Sequence, residues 1–427
     1  MRSGGIPASG PPERTFRAGP LSPPASLPTP LFCGPPSRKI KCVCDRRMRA
    51  PDRLAVEITA LYLALGSCAS LYGGQDAVEK QLDRVDWQPT QAAPGARYVG
   101  REICAQCHPR ETAAQKSTAM AHALARPAES LVLETRPRLA FTDGAYRYTI
   151  EGNGDQVSYA VTNGTDTISV PVSWVFGYGM GGVGQTYIFS YNGSYYEGRV
   201  SFFAGKQGLD ITLGHSTTAP ASLNDALGRA VKFEEIKACF GCHSTGAVSG
   251  GRLQVDKLVP GISCEGCHGP GAEHVGAMKA GELRETHILN PGKLTPGDQV
   301  RFCGACHRTR AHVEAIHVEG VATVRFQPYR LAESRCFNPR DRRSSCLACH
   351  DPHQNLQREP AFYDPKCLAC HGGGKEPPAT AQRIAPACPT ADSRCITCHM
   401  PRYMLAGSHF KFTDHKIRVV RLGDTFN

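Results

Sequence analysis

Large apolar side chains are scarce in this sequence. Tryptophan occurs twice in 427 residues, aromatic residues make up 7% and hydrophobic residues 41%. The chain is long enough for two or three domains, yet it has little side-chain material for their cores. Long apolar runs are scarce too. The best one lies in RAPDRLAVEITALYLALGSCAS, is interrupted by Glu57, and is too short for a membrane span. A strong positive charge is missing once residues 1–47 are set aside. They hold eight Lys or Arg against two acids, so the rest of the chain is near +5 of the formal +11. That weak excess excludes nucleic acid as an expected partner. No acid–base set for catalysis stands out. GYGMGGVG, ending at Gly184, lacks the strand-to-helix setting and the lysine of a phosphate loop.

Cysteine is the exception, with twenty residues. C-x-x-C-H occurs seven times: CAQCH (Cys104, Cys107, His108), CFGCH (Cys239, Cys242, His243), CEGCH (Cys264, Cys267, His268), CGACH (Cys303, Cys306, His307), CLACH (Cys346, Cys349, His350), CLACH again (Cys367, Cys370, His371) and CITCH (Cys395, Cys398, His399). Every C-x-x-C is followed directly by His. Cysteines at i and i+3 share one face of a helical turn. Two such thiols reach the two vinyl groups of one haem, and the next residue offers its imidazole to the iron. Zinc knuckles also use paired cysteines, but they need no His after every second Cys. A disulfide framework needs no His at all. With 16 His in the chain, seven of seven is not chance. The reading is seven covalently attached haem c groups, with seven proximal ligands. The porphyrins would supply the apolar bulk that the side chains lack, and Lys and Arg would offset their propionates.

Each iron also accepts a sixth ligand. Nine histidines lie outside the motifs. His353, three residues after His350, cannot easily reach the far face of the same iron but can serve a neighbour. His274 stands in the same relation to His268. His122 follows the first motif on an expected helix, where Met120 is its rival. His409 and His415 lie in GSHFKFTDHKIR, with His415 preferred. His215 precedes the second motif. His312 and His317 follow the fourth, and one of them is expected to ligate; His312 is taken here. His287 is expected at the surface. This supply predicts mostly bis-His coordination and low potentials.

The organisation follows from the motif spacing. Residues 1–47, with ten prolines, read as disordered or as a spurious extension, with Met48 as the expected start. Residues 48–68 read as a signal peptide or a lipoprotein signal, LGSC making Cys68 either a lipid-bearing residue or a spare cysteine beside a cleavage site. Residues 69–130 form a first haem-binding segment. Residues 131–215 are rich in Tyr, Phe, Val, Ile and Thr broken by Gly and Asn, which predicts an antiparallel insert with a hairpin at Asn192-Gly193. A helix in PASLNDALGRAV leads into 216–427, a six-haem domain. The fold class is α+β: short helices and loops wrapped around seven haems, with the β insert between motifs 1 and 2. Attachment of haem c outside the cytoplasm agrees with the signal, so the expected location is periplasmic or otherwise extracytoplasmic.

YVGREICAQCH, CEGCHGPGAEH, RFQPYRLAESRC, CLACHDPH and CITCHMPR with FTDHKIR resemble the multihaem cytochrome c family that includes the cytochrome c-554-like proteins. The likeness spans about 98–420. It implies haems stacked in close pairs that pass electrons between redox partner proteins. Tetratricopeptide domains often follow in that family, and none is expected within these residues. Cys336 and Cys388 lie near places where the family carries cysteines, and read as a disulfide or as two unrelated thiols. The function expected is electron transfer. The alternative is an oxidoreductase acting on a small nitrogen or sulfur compound at one five-coordinate haem. A third reading, a haem-stabilised binding or assembly subunit, rests on the β insert alone.

Overall fold

The computed structural model describes residues 91–92, 95–153, 155–282, 284, 286–372, 386, 388–421 and 423–426. The extension 1–47, the signal 48–68 and Cys68 lie outside the described residues. Among the described residues no helix is long and apolar enough to cross a membrane.

Alternation of β-branched and aromatic residues with polar ones builds the largest element. In β1 (Arg138–Asp143), β2 (Tyr146–Asn153), β3 (Gln156–Thr162) and β4 (Thr167–Phe176), every second side chain turns inward. Then come β5 (Gly184–Tyr191), β6 (Ser194–Gly198), β7 (Val200–Phe203), β8 (Gly208–Ile211) and β9 (Gly228–Ala230). With Leu124–Ala125, which pairs with β4, they form one ten-stranded antiparallel sheet in the order β8-β7-β5-β4-β3-β2-β1, with β6 on β5 and β9 on β6. β1 and β8 lie beside each other, so the sheet curls on itself. Its interior holds Tyr148, Ile150, Tyr159, Val161, Phe189, Phe202 and Leu209. The Tyr159 hydroxyl accepts from the Val200 amide at 3.1 Å.

Asn192 and Gly193 both take positive φ, 49° and 76°, and join β5 to β6 with Tyr191 opposite Ser194. That is the twist a two-residue hairpin demands. The glycine-rich stretch joins β4 to β5. Gly177 there has φ 97°, and a Cβ would stand 2.5 Å from the Gly184 carbonyl.

A register shift between Val172 and Trp174 turns Trp174 to the outer face of the sheet. There Trp174 and Ile188 form a second core with Ile236 and Phe240 of the helix that carries CFGCH. The sheet is therefore one wall of a motif's own hydrophobic environment.

Two local expectations change. The helix in PASLNDALGRAV is only Leu223–Leu227, because Gly228–Ala230 pairs with β6 instead. Gly228, at φ 148°, has no room for a Cβ against the Glu197 carbonyl. The helix after the first motif ends at Lys116, so His122 lies in a turn. Thr118 Oγ1 bonds the Gln115 carbonyl at 2.8 Å and accepts from Ala121 N at 3.2 Å, competing with the helical ladder.

Apart from short strand pairings of Gln91–Ala92, Val248–Ser249 and Arg252–Leu253 and of Ser244–Thr245 with Val259–Pro260, the remaining chain is mainly short helices and loops: α1 (Arg101–Ala105), α2 (Pro109–Lys116), α3 (Phe233–His243), α4 (Cys264–His268), α5 (Ala272–Lys279), α6 (Pro296–His307), α7 (Arg310–Ala315), α8 (Gln327–Ala332), α9 (Cys346–Cys349), α10 (Asp364–His371) and α11 (Ile396–His399). A final hairpin, β10 (Arg402–Met404) and β11 (Lys411–Thr413), follows the last motif.

Candidate functional site

Each of the seven pentapeptides lies on a helical turn. Four are wholly helical, at the ends of α3, α6 and α10 and throughout α4. In the other three the His amide closes a turn onto the carbonyl of the first cysteine: His108 on Cys104 at 2.8 Å, His350 on Cys346 at 2.9 Å, His399 on Cys395 at 3.0 Å.

The imidazoles are oriented from behind. Nδ1 of His243 donates to Ala123 O at 3.0 Å, that of His268 to Leu289 O at 2.8 Å, that of His371 to Pro386 O at 2.8 Å and that of His399 to Arg418 O at 2.9 Å. A backbone carbonyl on Nδ1 fixes the tautomer and leaves Nε2 with its lone pair for a metal. Burial lowers the pKa of His243, His268, His307 and His350, which keeps these rings neutral.

The motifs touch one another. Cys104 lies close to Cys264, bringing motif 1 to motif 3. Cys242 lies close to Cys306, and its sulfur is 3.8 Å from the Ala305 carbonyl, bringing motif 2 to motif 4. Cys303 lies close to Cys346, bringing motif 4 to motif 5, and Cys367 lies close to Cys395, bringing motif 6 to motif 7. Charge on Cys267 is felt at Cys303 and Cys306, and charge on Cys349 at Cys367. Motif 4 thus neighbours 2, 3 and 5.

One buried residue that the sequence reading passed over ties two motifs together. Glu265, inside CEGCH and 2% exposed, accepts from Val99 N at 2.8 Å and Gly271 N at 2.8 Å through Oε1, and from Gly100 N at 2.9 Å through Oε2. This carboxylate fastens the entry to α1 onto α4. A Glu between two haem cysteines, beside a Gly-rich stretch, is the sequence signal.

Eight of the nine other histidines divide by what their rings contact. Ring centroids of His353 and His268 are 6.1 Å apart with planes 14° from parallel, and those of His415 and His350 are 6.2 Å apart at 41°. An imidazole nitrogen sits about 2.0 Å from a metal and about 1.1 Å from its ring centroid, so two rings on opposite sides of one iron have centroids about 6 Å apart. Both pairs fit that gap. Nδ1 of His353 is held by Asp351 at 3.2 Å and that of His415 by Thr413 O at 3.1 Å. His274 resembles them, with Nδ1 on Thr286 O at 2.7 Å. His122 stacks on Tyr178, centroids 4.5 Å apart.

Three expected ligands are engaged elsewhere. Nε2 of His215 donates to Glu197 at 3.1 Å, and Nε2 of His409 donates to Asp210 at 2.9 Å. His312 accepts from the Thr309 amide at Nδ1, 3.2 Å, so its proton sits on Nε2. In each case one ring nitrogen is already committed to a protein partner. His215 and His409 instead tie Glu197 of the sheet and the final hairpin in place. His287 points Nε2 toward Glu282 at 4.0 Å. Cys336 and Cys388 are exposed free thiols, and Cys336 lies near Cys370 and Cys349.

Seven helical turns with paired thiols and a following imidazole define a class, and the comparisons agree. A family model described as cytochrome c554 and c-prime matches residues 212–269, which contain CFGCH and CEGCH. Over that stretch the chain is similar to multihaem c-type cytochromes, a class whose cofactor is covalently bound haem c and whose work is electron transfer. Among solved structures, that of the outer cell wall cytochrome OcwA is similar at 15% identity, covering 76% of this chain and 80% of that chain, with a TM-score of 0.42. No curated protein matches.

Proposed function

We propose that this protein is an exported electron carrier holding seven haem c groups, around which its short helices and loops wrap. The observation that carries the reading is that all seven C-x-x-C-H sequences lie on helical turns. Bound haem c supplies a reversible one-electron iron couple, and the chain supplies attachment, spacing and solvent exclusion.

The fourteen motif cysteines hold the macrocycles, and His108, His243, His268, His307, His350, His371 and His399 take the proximal positions. His353 serves opposite His268 and His415 opposite His350. His274 and His122 are the next donors. The contacts between motifs support a line 1–3–4–5–6–7 with motif 2 as a branch at 4, beneath the sheet. Electrons enter from and leave to redox partner proteins. The location is extracytoplasmic, with Cys68 a candidate lipid anchor.

Mass spectrometry of the matured protein tests the count: seven haem additions are expected, and the bare polypeptide mass refutes the reading. A second reading has one observation behind it. With three of the nine non-motif histidines engaged, six remain for seven irons, which favours at least one iron open to a small nitrogen or sulfur compound. High-spin iron that shifts on adding such a compound supports it.

A further inference from the structure

His415 lies on the irregular segment after β11, which by itself fixes no side chain within the tolerance a ligand needs. Its position comes from one turn of another element. Asp414, wholly buried, accepts from Arg330 Nε through Oδ1 at 2.9 Å and from Arg330 Nη2 through Oδ2 at 2.9 Å. The Arg330 side chain is 3% exposed, and its guanidinium lies over the Phe426 ring, 4.3 Å from the centroid. Four residues on, Ser334 Oγ donates to the His415 carbonyl at 3.1 Å and accepts from Ile417 N at 2.8 Å. Asp414 Oδ1 also accepts from Lys416 N at 3.0 Å. The residues before, at and after His415 are all gripped from α8 and the turn that ends it.

Stability alone is a poor explanation. A buried ion pair repays its desolvation only with good geometry, and apolar replacement is often neutral. A two-pronged guanidinium–carboxylate contact does supply orientation. We propose that Arg330 and Ser334 are positioning residues that latch the 414–417 segment and hold His415 as the sixth ligand of the iron attached at CLACH, Cys346 to His350. The proposal rests on the reading of His415 as that ligand.

The test uses the full-length matured holoprotein, electron paramagnetic resonance of the oxidised form and a redox titration. His415→Ala is expected to turn one iron in seven from low to high spin. Arg330→Met is expected to give part of the same high-spin signal and raise one potential. Arg330→Lys keeps the charge but loses the fork, and should fall between wild type and Arg330→Met. Added imidazole should restore low spin in His415→Ala. If His415→Ala is high-spin while Arg330→Met keeps a wild-type spectrum and potentials, the latch is wrong and the ligand reading stands. If His415→Ala stays low-spin, the ligand reading fails and the latch with it. Should Arg330→Met not fold, Ser334→Ala, which removes a single hydroxyl, is expected to show a smaller high-spin fraction; an unchanged spectrum overturns the proposal.

Discussion

Replacing His353 with alanine isolates one consequence of the geometry. His353 stands 6.1 Å from His268, ring to ring, and its orientation comes from Asp351, which takes both its backbone amide (2.9 Å) and Nδ1 (3.2 Å). The side chain is 40% exposed, so truncation leaves no packing defect to confuse the result. Removing it should free one of seven irons. About one seventh of the total iron should then appear as high-spin signal, with the rest unchanged. Loss of an imidazole donor should also raise that iron's potential. Asp351→Asn, which weakens the hydrogen bond behind the ring, should move the potential the same way by less, since partners of this kind tune a ligand's basicity and binding. His287→Ala is the control, its Nε2 facing Glu282. Spin counting by electron paramagnetic resonance reads the first effect and a spectroelectrochemical titration the second. A fully low-spin His353→Ala spectrum would refute the pairing and, with it, the use of ring separation to match ligands.

Phe240→Ala removes a fully buried ring that meets Trp174, Phe176 and Tyr195 edge-on; it should cost about 3–5 kcal/mol in denaturant unfolding, and a loss below 1 kcal/mol would mean that the sheet does not support motif 2. Glu265→Ala strips three backbone amides of their acceptor. Hydrogen exchange at Val99 and Gly100 should accelerate, with Glu265→Gln in between; equal protection in all three proteins would contradict the tie between motifs 1 and 3. Burial pushes the Glu197 carboxyl up, but hydrogen bonds from His215 and Arg229 outweigh it and hold its pKa below the ordinary 4.5. A carboxyl depressed in the folded state stabilises above its unfolded value and ceases to as pH falls through the folded one. Thermal stability should therefore fall below about pH 4.5, and Glu197→Gln should flatten that limb; parallel curves would count against the assignment.

The helical turns under the seven motifs were legible because C-x-x-C-H writes its residues contiguously. The curled sheet was legible as well, through period-two alternation and the Asn192-Gly193 turn. Other features needed the fold. Nothing in the sequence around His215 or His409 tells that a carboxylate from a distant strand, Glu197 or Asp210, occupies Nε2. A histidine between small residues reads the same whether iron or carboxylate faces it. His122 was expected on the helix after the first motif, whereas the Thr118 hydroxyl bonds back to the Gln115 carbonyl where that helix ends. The bulge that sends Trp174 outward is invisible to an alternation rule, because one extra residue reverses the sides. Arg330 and Asp414 stand 84 positions apart, beyond any local pattern.

The hairpin and strap from Arg402 to Arg418 come after every attachment motif. They meet the sheet through His409 and Asp210, α8 through Asp414, and the last motif through the Arg418 carbonyl. A polypeptide threaded out of the cytoplasm in sequence order would present all of its thiol pairs to the loading machinery before this clasp arrives. On the haem-bound reading proposed above, cofactor insertion would then proceed on an open scaffold, with the clasp closing last.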